Sequence, residues 1–400
     1  MKFCVWSGSS FEKWYSSYHL MLAILQEMLK QDHEVWLLQV QRSDGAMPPE
    51  LENIPNLHVV NVKQEDAEKG NFVKRYVNQL KYYRQSGKVL KALPRMDAIL
   101  LQSNNTAFLP VGIAKRLRTP IVYNVQDIFP MDAMVIGKLK KSSPVYIAAR
   151  WLQARAYKKA DRVITISEDL ASIIRSEGRQ DVDVVYNWSY QNAPYNILDS
   201  ENHFLQANGI GREDGFRVVY AGNVGQMMEA EMIIQSAKLL CQYKDIQFYV
   251  IGEGSNLRKL QQRVAEEKLE NIRFYGRQPM EYAQDNYCMA DVNINPVPKG
   301  VIYTCMPSKT ATCLLSQKAT VVSMDLESDM ARKLGAVDLW TVVAPGDYKA
   351  MAEAILKTYQ SGDWDRKSSN AAEFLKKLAP VENAAEYTKR LMQTVKNTGR

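Results

Sequence analysis

Short apolar runs alternate with helical patterns along the first half of the chain. The apolar runs predict strands at residues 2–6, 34–40, 58–62, 97–102, 121–125, 162–167 and 182–186. An amphipathic pattern predicts a helix at residues 18–30, between the first two strands. This alternation is typical of a parallel, doubly wound sheet. We therefore expect a Rossmann-like domain over residues 1–190.

The alternation stops and then restarts. Residues 191–215 are rich in Asn, Asp and Gly without periodicity, which predicts a linker. Beyond it, apolar runs predict strands at residues 217–221, 247–251, 272–275, 291–294, 320–323 and 340–343. We expect a second Rossmann-like domain over residues 216–375. A helical segment, 376–400, should pack back toward the first domain. The fold class is therefore α/β, with two doubly wound parallel sheets whose strand ends face a central cleft.

Composition narrows the class of protein. A chain of 400 residues with 46% apolar and 24% charged positions can bury a large core. No apolar run approaches the roughly 20 residues of a membrane-spanning helix, and the N-terminus lacks a signal-peptide pattern, so we expect a cytoplasmic protein. Five cysteines without a C-x-x-C pair, and four histidines without ligand spacing, give no reason to expect a bound metal.

Positive charge is concentrated in two segments. Residues 74–95 hold seven basic and no acidic side chains, and residues 138–162 hold eight basic and one acidic. Tyrosines and Trp151 are interleaved with this charge, which suits anionic lipid headgroups at the inner face of a membrane or a phosphorylated acceptor. Ordinary solvated helix faces are the alternative. No recognition motif accompanies the charge, so nucleic acid is not an expected partner.

Two glycine-containing loops follow predicted strands in the second half. The strand at 217–221 leads into Gly222, Asn223, Val224, Gly225 and Gln226, and the strand at 247–251 leads into Gly252, Glu253 and Gly254. Small residues at strand ends let backbone N–H groups approach a phosphate, while Glu253 suits a ribose or a base edge. An ordinary tight turn is the alternative for either loop, but two equivalent loops in one domain favour a nucleotide site.

A third candidate element begins near Pro307. Pro307, Ser308 and Lys309 precede a predicted helix, with Ser308 in the position of an N-cap. A helix N-terminus carries roughly half a positive charge, and Lys309 adds a full one. We expect this element to hold a diphosphate without a metal, against the alternative of a capped helix with a solvated lysine.

One carboxylate follows a strand in the first half. Asp127 comes directly after the predicted strand at 121–125. At the carboxyl end of a parallel strand it could be a general base for an acceptor hydroxyl, or it could orient the acceptor. An inert role in a turn or a helix cap is the alternative.

Taken in order, these and other segments resemble glycosyltransferase family four, the retaining GT-B enzymes, and in particular its bacterial surface-polysaccharide branch. The resemblance covers nearly the whole length. The segments that carry it are Asp32-His33-Glu34-Val35, Val125-Gln126-Asp127-Ile128-Phe129-Pro130, Ile164-Thr165-Ile166-Ser167-Glu168, Val185-Tyr186-Asn187-Trp188, Tyr220-Ala221-Gly222-Asn223-Val224-Gly225, Ile251-Gly252-Glu253-Gly254, Pro307-Ser308-Lys309 and Ala344-Pro345-Gly346-Asp347.

The resemblance implies a division of roles. The second domain would bind a nucleotide sugar, expected to be UDP-linked, and the first would receive a lipid-linked or saccharide acceptor at Asp127 and at Gly8, Ser9 and Ser10. A hexose or N-acetylhexosamine would be transferred with retention, with no metal and no cofactor beyond the sugar nucleotide. We assign catalytic roles to Asp127 and Lys309.

The chain also departs from the family pattern. An Arg and a Lys usually grip the diphosphate, and their positions are Asn223 and Met228 here; two usual glutamates are replaced by Thr304 and Thr312. Lys309, Gln226 and the backbone amides of Gly225 and Ser308 are the available replacements. The departures leave open a non-catalytic subunit that binds or regulates an active partner protein. A sugar-nucleotide epimerase of the same fold is a third hypothesis.

Overall fold

The computed structural model describes residues 1–11, 18–41, 49–65, 72–102, 105–189 and 193–399. The chain forms two compact units, one from residues 1–190 with 381–400 and the other from residues 191–380. Each is an α/β unit built on a parallel sheet, so the predicted fold class is confirmed.

The first unit has a seven-stranded sheet with the strand order β3-β2-β1-β4-β5-β6-β7. Its strands are β1 (Lys2–Trp6), β2 (Glu34–Gln41), β3 (Leu57–Lys63), β4 (Ala98–Leu101), β5 (Ile121–Val125), β6 (Arg162–Thr165) and β7 (Asp183–Val184). Its helices are α1 (Tyr18–Lys30), α2 (Phe72–Ala92), α3 (Phe108–Arg116), α4 (Met131–Val135), α5 (Pro144–Lys159), α6 (Glu168–Ser176) and, from the end of the chain, α15 (Asn383–Asn397). The order reverses between β1 and β4, as in doubly wound folds.

The second unit has a six-stranded parallel sheet with the order β10-β9-β8-β11-β12-β13. Its strands are β8 (Phe216–Ala221), β9 (Ile246–Ile251), β10 (Ile272–Tyr275), β11 (Val292–Pro296), β12 (Ala319–Ser323) and β13 (Trp340–Val343). Its helices are α7 (His203–Asn208), α8 (Ala230–Leu240), α9 (Leu257–Glu266), α10 (Asp285–Cys288), α11 (Lys309–Ser316), α12 (Asp329–Leu334), α13 (Tyr348–Gln360) and α14 (Ala371–Leu378). The order reverses between β8 and β11.

The C-terminal helix α15 packs in the first unit. Tyr387, Leu391 and Val395 are spaced by four residues and are all buried, so they form one apolar stripe. The stripe lies against α1, β4 and β5. This contact places residues 381–400 in the first unit, a few residues later than the predicted start at 376.

The segment predicted as a linker differs from its expectation. Residues 191 and 192 lie outside the described residues, but residues 193–215 fold with the second unit. Phe204 and Leu205 of α7 are buried in its core. Arg212 pairs with Asp291 at 2.5 Å, just before β11. Residues 193–215 are therefore part of the second unit and not a free linker.

No helix among the described residues combines the length and the apolar character needed to cross a bilayer.

Candidate functional site

Two glycine loops lie side by side at the carboxyl ends of neighbouring strands in the second unit. Strands β8 and β9 are paired in parallel, and Gly222 and Gly252 directly follow them. The Gly222 N–H donates to the Ile251 carbonyl at 2.8 Å, and the Val224 N–H donates to the Glu253 carbonyl at 2.9 Å. The sheet therefore holds the two loops in one fixed arrangement.

Glycine is required in these loops because of their mutual contact. Gly222 and Gly252 have φ values of +131° and +137°, which side chains rarely adopt. A Cβ at Gly252 would overlap the Gly222 carbonyl oxygen, and one at Gly254 would overlap the Val224 carbonyl oxygen. The glycines therefore serve loop packing, and their approach to a ligand stays a prediction.

Lys309 lies against the first loop. Its Nζ is 5.2 Å from the centroid of the Tyr220 ring, and a Cβ added at Gly222 would overlap its Cε. The side chain is partly buried, and burial lowers the pKa of its amine. None of the described carboxylates pairs with it. A cation in this setting lacks the counterion that burial normally requires.

The start of α11 differs from the prediction in one respect. Ser308 is exposed and occupies the N-cap position of α11, as predicted, but its backbone is already helical and its side chain makes no capping hydrogen bond. Pro307 precedes it and accepts a hydrogen bond at its carbonyl from the Thr310 N–H, at 3.1 Å. The first turn of α11 thus begins at Lys309 without a side-chain cap.

The remaining donor candidates fall into two groups. Asn223, Gln226 and Glu253 are exposed, Gly225 is buried, and Thr312 is half-buried. Thr304, by contrast, is fully buried, and its hydroxyl donates to the Val301 carbonyl at 2.8 Å. This hydroxyl already stabilises a turn, which argues against donor contact, and the assignment of Thr304 to the donor site stays a prediction.

Asp127 follows β5 in the first unit, as the sequence predicts. Its side chain is exposed, but nearby protein atoms reduce the hydration of the carboxyl group, and this raises its pKa to about 6. Asp132, at the start of α4, has its pKa raised to about 7, mainly by burial and further by the charge of Asp127. Two carboxyl groups with raised pKa values therefore lie close together, one in the loop after β5 and one in the first turn of α4.

The sequence analysis missed Asp132. It lies in the first turn of α4, where an acidic residue is ordinarily a helix-start signal, and its Oδ1 accepts a hydrogen bond from the Ala133 N–H at 2.7 Å. No pattern distinguishes this carboxyl group from a cap. Only the burial in the folded unit marks it.

Amide side chains form a chain of hydrogen bonds beneath the Asp127 loop. Asn124 donates to Gln102 at 2.8 Å, Gln126 donates to Asn124 at 3.0 Å, and Asn187 donates to Gln126 at 2.7 Å. Tyr387 of α15 adds a contact to the Asn124 oxygen at 3.3 Å. These contacts link the ends of β4 and β5 and the chain after β7, so they fix the backbone just before Asp127.

The loop after β1 holds the other acceptor candidates. A Cβ at Gly8 would lie 2.8 Å from the Tyr83 hydroxyl of α2, so Gly8 permits close packing on that helix. Ser9 is exposed, whereas Ser10 is buried. In a parallel sheet this loop and the Asp127 loop lie at the same edge, because both follow carboxyl ends of strands.

Among the residues that the structure describes, no group of three or more His, Cys, Asp or Glu side chains is arranged to hold a metal ion.

Comparison with known proteins agrees with this two-unit architecture. Residues 20–188 match the family described as "Glycosyl transferase 4-like domain", and residues 215–361 match "Glycosyl transferases group 1". The chain belongs to the GT-B glycosyltransferases of family four, as the sequence resemblance predicts.

Individual relatives are more distant. The chain is 25% identical over 274 residues to "Probable glycosyltransferase WbjE" of Pseudomonas aeruginosa, which covers 66% of this chain and 67% of that protein. The structure is similar to sucrose-phosphate synthase from Thermosynechococcus elongatus, with a TM-score of 0.76, 15% identity and 98% of each chain covered. It is also similar to HepE from Anabaena in complex with UDP, with a TM-score of 0.69, 14% identity, and 98% and 99% covered.

A further similar structure is that of WaaG, a glycosyltransferase involved in lipopolysaccharide biosynthesis, with a TM-score of 0.66, 13% identity, and 98% and 99% covered. At these identities the solved structures support the fold. The glycosyltransferase class itself rests on the two family matches and on the Pseudomonas relative.

Proposed function

We propose that the protein transfers a hexose or N-acetylhexosamine from a nucleotide sugar to a lipid-linked or saccharide acceptor, with retention and without a metal. The product would belong to a cell-surface polysaccharide such as a capsule or O-antigen. The relatives support this direction, because one is a lipopolysaccharide glycosyltransferase and another was solved with UDP. A UDP-linked donor is therefore our first choice.

The observation that carries the proposal is the setting of Lys309. Its amine lies over the Tyr220 ring and beside Gly222, and none of the described carboxylates pairs with it. A diphosphate would supply the missing negative charge. The uncapped first turn of α11 adds N–H groups and a dipole contribution of about 0.3–1 kcal/mol toward an anion.

Lys309 would also act in the chemical step. Negative charge develops on the leaving diphosphate as the glycosidic bond to it breaks, and the cation stabilises that charge. One preorganised donor of this kind typically contributes about 2.7–4 kcal/mol to the transition state. The amides of Gly225 and Ser308 and the exposed side chain of Gln226 are the further groups that we propose for the diphosphate.

The first unit would receive the acceptor. Asp127 has a pKa of about 6, so it is ionised at neutral pH and able to accept a hydrogen bond from an acceptor hydroxyl. The adjacent loop with Gly8, Ser9 and Ser10 would line the same edge of the sheet. We propose that at least one of the basic segments at residues 74–95 and 138–162 holds this unit near a membrane that carries the acceptor.

A second candidate function is a non-catalytic subunit of the same fold. Four positions that usually carry charge in the family are uncharged here: Asn223, Met228, Thr304 and Thr312. Two of them, Met228 and Thr304, are buried. A protein without those charges could bind sugar nucleotide or a partner glycosyltransferase without turnover.

The test is a titration of the full chain with UDP-, GDP-, dTDP- and CMP-sugars, followed by thermal shift. A ligand at a hundredfold excess over its Kd adds about 2.7 kcal/mol of stability. We expect one nucleotide class to stabilise the protein and Lys309→Gln to abolish the effect. Lys349→Gln is the control, since Lys349 is exposed elsewhere in the same unit.

The outcomes separate the two functions. Release of free nucleotide in the presence of acceptor supports the transferase, and the product's anomeric configuration tests retention. Undiminished activity in EDTA tests metal independence. Absence of a shift with every nucleotide, together with stable association with a second glycosyltransferase, would favour the non-catalytic subunit.

A further inference from the structure

Helix α5 exposes three large apolar side chains. Val145, Ile147 and Trp151 have 64%, 59% and 56% of their surface exposed. Single exposed apolar residues are common, but Ile147 and Trp151 are one helical turn apart and form a patch, whereas Val145 lies on another side of the helix. Such a patch favours contact with another apolar phase.

The patch lies on the outer side of the helix. Ile147, Trp151 and Arg155 are spaced by four residues, so they form one stripe along the helix. The opposite side holds the buried residues Tyr146, Ala149, Gln153, Ala156 and Tyr157. The stripe therefore faces away from the core of the first unit.

Cations border this stripe at both ends. Lys140 and Lys141 precede the helix, and Arg155, Lys158 and Lys159 lie in its last two turns; all five are exposed. None of the described carboxylates pairs with them. The Arg155 guanidinium lies 4.6 Å from the centroid of the Trp151 ring, so apolar and cationic groups share one surface.

Helix α2, in the other basic segment, presents a different surface. Its lysines and arginines are exposed, but Tyr82 and Tyr83 are buried in the unit. Among the described side chains of α2, the large apolar one that is exposed is Val77, with 42% of its surface accessible. This helix offers charge without an apolar patch.

We propose that the outer face of α5 docks on a lipid bilayer with anionic headgroups, with Ile147 and Trp151 entering the interface and the five cations binding phosphates. Protein surfaces that bind anionic membranes typically combine apolar and aromatic side chains with unpaired cations. The inference deepens the proposed function, which supplies the lipid-linked acceptor, and it assigns the membrane contact to α5 instead of α2.

The experiment is co-sedimentation of the full chain with vesicles of phosphatidylglycerol and phosphatidylethanolamine, or of phosphatidylcholine alone. We expect binding to the first type only, and a loss of at least tenfold in Ile147→Ser/Trp151→Ser. Lys158→Gln/Lys159→Gln should weaken binding by about fivefold for each charge. The matched pair Lys88→Gln/Lys91→Gln, also exposed lysines in the last turns of a basic helix, should bind like the wild type.

Unchanged binding by Ile147→Ser/Trp151→Ser, or equal losses from the two lysine pairs, would overturn the proposal. So would a wild type that ignores anionic vesicles but forms dimers that the serine variant abolishes, since the face would then join two copies. All substituted side chains are exposed, and far-ultraviolet circular dichroism checks that each variant folds. The binding assay needs no sugar nucleotide, so a failed donor titration with intact vesicle binding refutes only the transferase.

Discussion

The amine of Lys309 lies 5.2 Å from the centroid of the Tyr220 ring, and the hydroxyl of the same ring donates to the Asn223 carbonyl at 2.7 Å. Tyr220 is buried within β8, so it contacts both the cation and the glycine loop from a rigid strand. The ring thereby holds the Lys309 amine beside the loop, and the hydroxyl adds one hydrogen bond to the loop backbone.

This relationship predicts different effects for two substitutions. Tyr220→Phe keeps the ring and should bind sugar nucleotide nearly as well as the wild type. Tyr220→Leu removes a desolvated cation–π contact of about 1–2 kcal/mol and should raise the Kd by about 5- to 30-fold. Calorimetric titration with UDP-glucose measures both; equal affinities of the leucine and phenylalanine variants would contradict the positioning role.

The second prediction concerns the crossing of the two glycine loops. Gly252→Ala places a Cβ onto the Gly222 carbonyl at a φ of +137°. We expect a loss of about 1–3 kcal/mol or more in the free energy of unfolding. Gly276→Ala is the control, because a Cβ there would meet no atom within 4 Å. Similar urea midpoints for the two variants would show that the loops repack freely.

The third prediction concerns the pH dependence of stability. Folding raises the pKa of Asp132 from its ordinary value of 3.8 to about 7, so the folded chain favours the protonated form. Protonation of Asp132 therefore contributes to the free energy of unfolding. This contribution is complete below about pH 4 and is lost as the pH rises through about 7. Asp132→Asn should therefore melt above the wild type at alkaline pH, and the gap should narrow toward acid.

Melting curves of the two proteins across this pH range measure the gap. Asp181→Asn is the control, since Asp181 is an exposed carboxylate of the same unit. A constant difference between Asp132→Asn and the wild type at every pH would mean that Asp132 does not titrate as described.

The fourth prediction concerns the rate of transfer. Asp127 has a pKa of about 6, and a base must be ionised, so turnover should rise as the pH increases through this value. Asp127→Asn should lower the rate by about 10²- to 10⁴-fold and remove that rise. Donor affinity should not change. A variant that keeps the acid limb of its pH profile would show that another group titrates there.

The fifth prediction separates Thr304 from the donor site. Thr304→Val removes the hydroxyl that donates to the Val301 carbonyl, which keeps the backbone N–H groups of Thr304 and Cys305 as donors. We expect a loss of about 0.5–1.5 kcal/mol in stability. The Kd for sugar nucleotide should stay within about twofold of the wild-type value, because the site is not expected to involve this side chain. A large fall in affinity with unchanged stability would return Thr304 to the donor site.

Part of this site was predictable from local sequence. The strands ending at Val125, Ala221 and Ile251 were located from their apolar runs, so Asp127 and both glycine loops were found at strand ends. Ser308 was correctly placed at the N-cap position, but the hydrogen bond that serine usually makes there is absent, because its backbone is already helical. Family spacing placed Thr304 at the donor site, but spacing does not show that its side chain is buried.

The linker was misread for a similar reason. Arg212 and Asp199 look like solvated linker residues, but they form ion pairs within the second unit. The sequence shows the charges but not their partners. Asp365, which pairs with Arg212, lies 153 positions away in the chain.

The sequence by itself determined the two parallel sheets, the family and the residues that follow each strand, because periodicity and turn chemistry act between neighbours in the chain. Only the tertiary structure decided which of these residues meet. It brought Lys309 to Tyr220, raised the pKa of Asp132, buried Thr304 and turned Ile147 and Trp151 outward on α5. Burial and contact depend on segments that are distant in sequence, and no local pattern encodes them.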